Sequence, residues 1–192
     1  MLDPRWEPIA GNPALDFLNT VRDTGRTREK DLFESWSGVS CWASKNDLFS
    51  SDELKIICEL SKSESGNRRF PSFLKFREEL YTGLCRLHHN NDGSLLETLL
   101  FQSMERGCLT ASDGLVTWQP GSSSRHIIED RIALTLEAFL RSPDFARLKQ
   151  CANCSWFFVD NGRGRGRKWC KMQTCGARQK MRRFRGNESG NL

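Results

Sequence analysis

Cys151-Ala152-Asn153-Cys154-Ser155-Trp156-Phe157-Phe158-Val159-Asp160 opens the most informative part of this chain. Arg167-Lys168-Trp169-Cys170-Lys171-Met172 and Cys175-Gly176-Ala177-Arg178-Gln179-Lys180 follow it. The cysteines are spaced Cys-x2-Cys-x15-Cys-x4-Cys. Two close pairs of thiolates, separated by enough chain for a hairpin, suit a tetrahedral zinc ion. Cys151, Cys154, Cys170 and Cys175 are therefore the expected metal ligands. No fifth ligand or open position is suggested, so the zinc is expected to be structural. About 40 residues cannot build a self-sufficient core, and metal binding would supply much of the folding energy. Two other readings exist for these cysteines. They could be unrelated core residues, or Cys151 and Cys154 could be a redox pair. Redox pairs sit on a βαβ scaffold, and no such pattern surrounds Cys151.

Charge sets the same segment apart. Residues 147–185 hold twelve Lys or Arg and one acid, Asp160, whereas residues 1–146 carry a net charge of -5. An acidic body with a basic appendage is a layout of nucleic-acid binding. The candidate contacts are Arg163, Arg165, Arg167, Lys168, Lys171, Arg178, Lys180, Arg182, Arg183 and Arg185. Gly162 to Arg167 alternates Gly and Arg and matches neither a Walker loop nor GxGxxG spacing. It can hold phosphates, or extend guanidiniums into a minor groove.

The chain of 192 residues has 38% hydrophobic and 28% charged residues, which is globular composition. No apolar run approaches the roughly 20 residues of a membrane span. The N-terminus lacks the layout of a signal peptide. A cytoplasmic location is expected.

Upstream, helical signals dominate. Asn12-Pro13 starts one helix, and Asp31 to Trp42 leads into another short one. Ser50-x-x-Glu53 is a capping box for a helix over about 51–61. Residues 62–69 read as a polar loop, with Pro71 opening a helix to about His89. Ser94 starts the next, and 125–141 form another. Leu109-Thr110-Ala111 and Leu115-Val116-Thr117-Trp118 flank Asp113-Gly114 and predict a β-hairpin. Cys41, Cys58, Cys85 and Cys108 lie among apolar residues and read as core. His88 and His89 read as solvated or capping residues at a helix end. Asp16, Asn19 and Thr20 would share a helical face at i, i+3 and i+4. They either fix a turn by local hydrogen bonds or contact a small ligand. No spacing of an enzyme motif is found around the three histidines, so no enzyme is expected.

The C-terminal motifs resemble the CGNR-type zinc finger. Ala14-Leu15-Asp16-Phe17-Leu18-Asn19-Thr20 resembles the start of the ABATE domain that precedes this finger in the same family. The resemblance implies an α+β fold: a mainly helical, ligand-sensing N-terminal domain over 1–145 with a small β-hairpin or sheet, and a treble-clef zinc finger over 146–192. It implies a bacterial, nucleoid-associated, stress-responsive transcription regulator that binds double-stranded DNA, with a homodimer as one possible form. RNA is the alternative partner. In a treble clef Cys151 and Cys154 sit on a knuckle, 156–159 and 168–170 form the two legs of a hairpin, and a basic helix runs from Gly176 to about Phe184. Trp156, Phe158 and Trp169 would form its small core. Ala177 stands where the family has Asn, and Asn161-Gly162 stands where it usually has a Ser before the Arg.

Overall fold

The computed structural model describes residues 6–23, 25–122, 125–162 and 166–188. Helix α1 (Pro13–Leu18) is capped by Asn12, whose Oδ1 accepts from the Ala14 N–H at 2.9 Å. It ends after six residues, with Asn19 as its C-cap. The chain then pairs β1 (Val21–Arg22) with β2 (Lys30–Asp31) and enters α2 (Trp36–Ala43). Helix α3 (Ser51–Leu60) has the expected capping box: Ser50 Oγ accepts from the Glu53 N–H, and the Ser50 N–H donates to Glu53 Oε2.

Helix α4 (Glu64–Asn90) starts seven residues before Pro71, where a loop was expected. Tertiary contacts explain the extension. Ser63 Oγ accepts from the Gly66 N–H at 3.0 Å, and Trp36 Nε1 donates to the Gly66 carbonyl at 2.8 Å. Gly66 lies against the end of α3 so closely that a Cβ would stand 2.0 Å from the Leu60 carbonyl oxygen. These bonds outweigh the donor that Pro71 removes from the ladder. The helix is about 40 Å long at 1.5 Å per residue and ends at Asn91, which has φ 56°.

Helix α5 (Ser94–Glu105) leads into an antiparallel hairpin, β3 (Gly107–Ser112) with β4 (Leu115–Pro120). Asp113 and Gly114, at φ 52° and 76°, make the predicted turn. Cys108 lies exposed on this hairpin, not in the core, because the outer residues of a two-stranded ribbon have nothing to pack against. Helix α6 (Ile127–Arg141) returns across the molecule, and a 3-10 turn (Pro143–Arg147) follows. The remaining elements are β5 (Leu148–Gln150), β6 (Phe157–Val159), a π-turn (Met172–Gly176) and α7 (Ala177–Glu188). The molecule is thus mainly helical, with three small sheets of two strands each.

The core is aromatic. Phe17, Phe33, Trp36, Trp42 and Phe73 are all buried, with the Trp36 and Phe73 rings 4.6 Å apart and Phe17 and Phe73 5.3 Å apart. Arg77 is buried beside it. Its guanidinium meets Asp31 Oδ1 and Oδ2 at 2.9 and 2.6 Å and the Thr20 carbonyl at 3.1 Å, so its donors are spent on polar partners.

Strands β5 and β6 join this core. Leu148, Phe157 and Val159 belong to the same buried cluster as the helices, and the Phe157 ring lies 5.6 Å from Tyr81 and 5.7 Å from His88. His88 and His89 are consequently not simply solvated. His88 meets that ring edge-on, and His89 Nε2 lies 3.0 Å from Gln150 Oε1. The strand partner also differs from the expected hairpin. Strand β6 pairs with β5, and residues 168–170 form no strand but touch the knuckle through the Ala152 N–H and the Lys168 carbonyl at 2.9 Å. Truncating Phe157 to Ala should therefore cost about 3–5 kcal/mol, as for a buried core aromatic. Urea unfolding followed by far-UV circular dichroism reads this; a loss below about 1 kcal/mol would mean that β6 contributes little to the helical core.

Candidate metal centre and its basic face

The knuckle between β5 and β6 carries Cys151 and Cys154. The Cys151 N–H donates to the Trp156 carbonyl at 2.8 Å and closes the loop. Cys170 arrives from the return leg, and Cys175 from the π-turn that leads into α7. All four sulfurs lie within 4.8 Å of one another and all four residues are buried. Cys170 Sγ is 3.6 Å from both Cys154 Sγ and Cys175 Sγ. Tetrahedral zinc at about 2.3 Å from sulfur needs sulfurs about 3.8 Å apart. The donor set therefore fits a four-thiolate structural zinc. Four thiolates this close repel one another without a cation, which is the physical demand that the metal would meet.

The ligands are held by residues around them. Asn153, in the middle of the first pair, donates through its N–H to Cys151 Sγ at 3.5 Å. Its Nδ2 donates to the Cys175 carbonyl at 3.3 Å, and its Oδ1 accepts from Arg182 Nη1 at 2.9 Å. Phe158, Trp156, Trp169 and Ile9 pack on the cysteines. The arm between β1 and β2 grips the knuckle from the body. Asp23 Oδ2 accepts from the Ser155 N–H at 2.9 Å, and Arg26 Nη2 donates to the Cys151 carbonyl at 2.7 Å. Burial opposes ionisation of Asp23, but hydrogen bonds from Ser155, Gly25 and Arg26 prevail and hold its carboxyl below the usual range. Arg28 lies 3.6 Å from the Tyr81 ring centroid and donates to Glu78 at 2.7 Å. Arg26 and Arg28 both have positive φ, 65° and 55°. None of Asp23, Arg26, Arg28 and Asn153 was predicted. Asp23 and Arg26 sit more than 120 residues from Ser155 and Cys151, Arg28 sits 50 from Glu78, and no local pattern marks them.

The ten predicted nucleic-acid contacts divide into different groups. Arg163 and Arg165 lie outside the described residues, and of Arg183 and Arg185 only the backbone, within α7, is described. Arg167 is committed to the finger itself. Its guanidinium stands 4.3 Å from the Phe158 ring centroid and donates to the Trp169 and Cys170 carbonyls, while its N–H donates to Asp160 Oδ2. The Lys149 ammonium and the Arg167 and Gly162 N–H groups hold the Asp160 carboxyl down at about 2. Lys171 pairs with Glu7 at 2.7 Å, and Arg182 bonds Asn153. Lys168, Arg178 and Lys180 are exposed, and among the described residues none of the three has an acidic partner. Exposed Met172, Met181 and Phe184 lie among them. An open groove of about 800 Å³ runs along residues 166–173, with Lys168, Lys171, Trp169 and Met172 on its walls.

Asp16, Asn19 and Thr20 do not share a helical face, because α1 ends at Leu18. All three are buried. Asp16 Oδ1 accepts from the Ile9 and Ala10 N–H groups at 2.9 and 3.0 Å. Asn19 Nδ2 donates to the Phe157 carbonyl at 2.8 Å, and its Oδ1 accepts from the Phe157 N–H at 3.0 Å. Thr20 Oγ1 donates to the Phe17 carbonyl at 2.7 Å and accepts from Arg77 at 3.1 Å. Their polar groups are thus engaged by the protein.

Comparison with known families agrees with this geometry. Residues 147–187 match the family model of the CGNR zinc finger. No curated protein matches the chain.

Two outcomes follow from the site. Chelating the zinc should lower the melting temperature of the whole chain in one transition, because β6 is shared between the two cores; a local transition that left the helices at their original midpoint would contradict this. The second concerns Asp16. Burial pushes its carboxyl up to about 6, against the pull of the Ala10 and Ile9 N–H groups. The folded state then keeps this proton to higher pH than the unfolded chain does. Stability should fall between pH 4 and pH 6, by up to about 1.4 kcal/mol per pH unit, and level off above. Asp16→Asn, which keeps an acceptor, should flatten that part of the profile in urea titrations.

Proposed function

We propose that this chain is a DNA-binding transcription regulator, in which the zinc finger docks on duplex DNA and the helical body receives a small-molecule signal. The observation that carries the reading is a four-cysteine finger on which Lys168, Arg178 and Lys180 are exposed and, among the described residues, have no carboxylate partner. Asp160, the one acid in residues 147–185, is already held by Lys149 and two backbone N–H groups. Such cations neutralise phosphates and release counterions. The resemblance to the CGNR and ABATE pair supports a role in a stress response. A single finger covers little DNA, which favours a homodimer or weak sequence preference. The division of labour between residues 1–145 and 146–192 belongs to this same reading.

One observation favours a second reading. Trp169 is half-buried on the wall of the groove beside the finger. An aromatic ring next to Lys168 and Lys171 suits a stacked, unpaired base, and hence RNA or single-stranded DNA.

Salt dependence separates phosphate contacts from structural cations. In duplex binding, replacing Lys168, Arg178 and Lys180 together by Ala should reduce the slope of log K against log salt by about 2.7, at roughly 0.9 per phosphate contact. Arg167→Ala should instead loosen the finger and lower its thermal stability. Tighter binding of single strands than of duplex, lost in Trp169→Ala, would move the assignment to the second reading.

A further inference from the structure

A cavity of about 470 Å³ opens on the helical body, between α4, α5 and the start of α6. Cavities of this size hold small organic ligands. It is far in sequence from the basic face, and no motif pointed to it. Its lining has two characters. Phe76 and Leu99 provide a half-buried apolar floor. Arg69, Arg106 and Arg125 stand around it.

The charges on this wall are nearly balanced, and the imbalance is informative. Arg69 donates to Glu129, Arg106 donates to the fully buried Asp130, and Lys75 pairs with Glu79 at 3.5 Å. Each of these three carboxylates thus has its own cation. Arg125 is exposed and meets His126 Nε2 at 3.3 Å, and among the described residues no carboxylate pairs with it. Glu105 also acts on Arg106, so the positive charge left without a carboxylate is local to Arg125. Arg106 also lies 3.5 Å from Ser103 Oγ, so its guanidinium is held from two sides.

We propose that this cavity binds a small organic monoanion, an aryl carboxylate, with the ring on Phe76 and Leu99 and the carboxylate on Arg125. Arg125 offers one guanidinium to such a ligand, which matches a single carboxylate, whereas a neutral ring would make no use of it. This deepens the sensing half of the function proposed above, and it is tested without nucleic acid, so its failure leaves the DNA assignment standing. The α6 helix gives the cavity a covalent path to the finger. Its first turn lines the cavity, and its last turn runs through Pro143–Arg147 into β5.

The test uses the zinc-loaded full chain and two variants outside the core, Arg125→Glu and Ser72→Trp. Ser72 is exposed on α4 at the cavity mouth, so Trp there closes it without disturbing the core. The probes are benzoate, 2-naphthoate and indole-3-acetate, with 2-naphthamide as the neutral control. Calorimetric titration should show saturable binding of at least one carboxylate, with the amide weaker by roughly tenfold or more. Both variants should keep the wild-type melting temperature within a few degrees and lose at least tenfold in affinity. Equal binding of 2-naphthoate and its amide would overturn the proposal. So would affinity unchanged in both variants, which would put the ligand elsewhere, or no saturation by any carboxylate at about 1 mM.

Discussion

The Asn19 side chain and the Phe157 backbone exchange two hydrogen bonds at 2.8 and 3.0 Å, across 138 residues of sequence. The amide does for β6 what a neighbouring strand would do: it supplies one donor and one acceptor to a buried peptide unit. The Val159 N–H continues the pairing at 2.7 Å to the Ala10 carbonyl. With its edge satisfied, β6 can lie between two cores. Strand alternation then determines what each face meets. Phe157 and Val159 turn into the aromatic core of the helices, and Phe158 turns toward the four cysteines. Neither cluster can shift without moving the other. Apparent zinc binding energies in finger peptides reach about 10–16 kcal/mol, which exceeds the burial of any one side chain. Part of that energy is available to hold the body as well as the finger, because the strand is common to both.

What could be read in the sequence is local chemistry. The capping box at Ser50, the Asp113-Gly114 turn and the paired cysteines each involve residues a few positions apart, so their spacing carries their geometry. What could not be read depends on distant partners. Residues 62–69 look like a loop because they are polar, and from Glu64 onward they are helix because Gly66 fits under Trp36 and against Leu60. Asp16, Asn19 and Thr20 were recognisable as an unusual polar set. Their roles are set by residues 9, 10, 157 and 77, which no periodicity connects to them. Arg167 is similar. In the sequence it is one of a run of cations; in the fold it lies on Phe158 and ties two carbonyls next to a zinc ligand.

The same distinction divides the charge of the finger. A count of twelve cations suggests a uniformly basic surface. Arg167, Lys149, Lys171 and Arg182 instead have partners that belong to the finger or the body. Lys168, Arg178 and Lys180 are left to act on an outside anion. Structural cations are recognised by having few alternatives: a guanidinium over a ring, or an ammonium over a carboxylate held at about 2. The exposed cations Lys168, Arg178 and Lys180 have no carboxylate partner among the described residues.

Rigid seating of the finger also restricts how a polyanion can approach. The body carries -5 over residues 1–146, and its Glu7 is in contact with Lys171. At physiological salt charges act over about 8 Å. Acids of the body near the finger therefore repel phosphates on one side, while Lys168, Arg178 and Lys180 attract them on another. On a flexible linker the finger could turn away from the body and lose that bias. Here β5 and β6 hold it, so on the proposed reading the acidic body would help to orient a bound polyanion. A displacement of α6 would reach the finger through the same two strands, since Leu148 and Phe157 share its core.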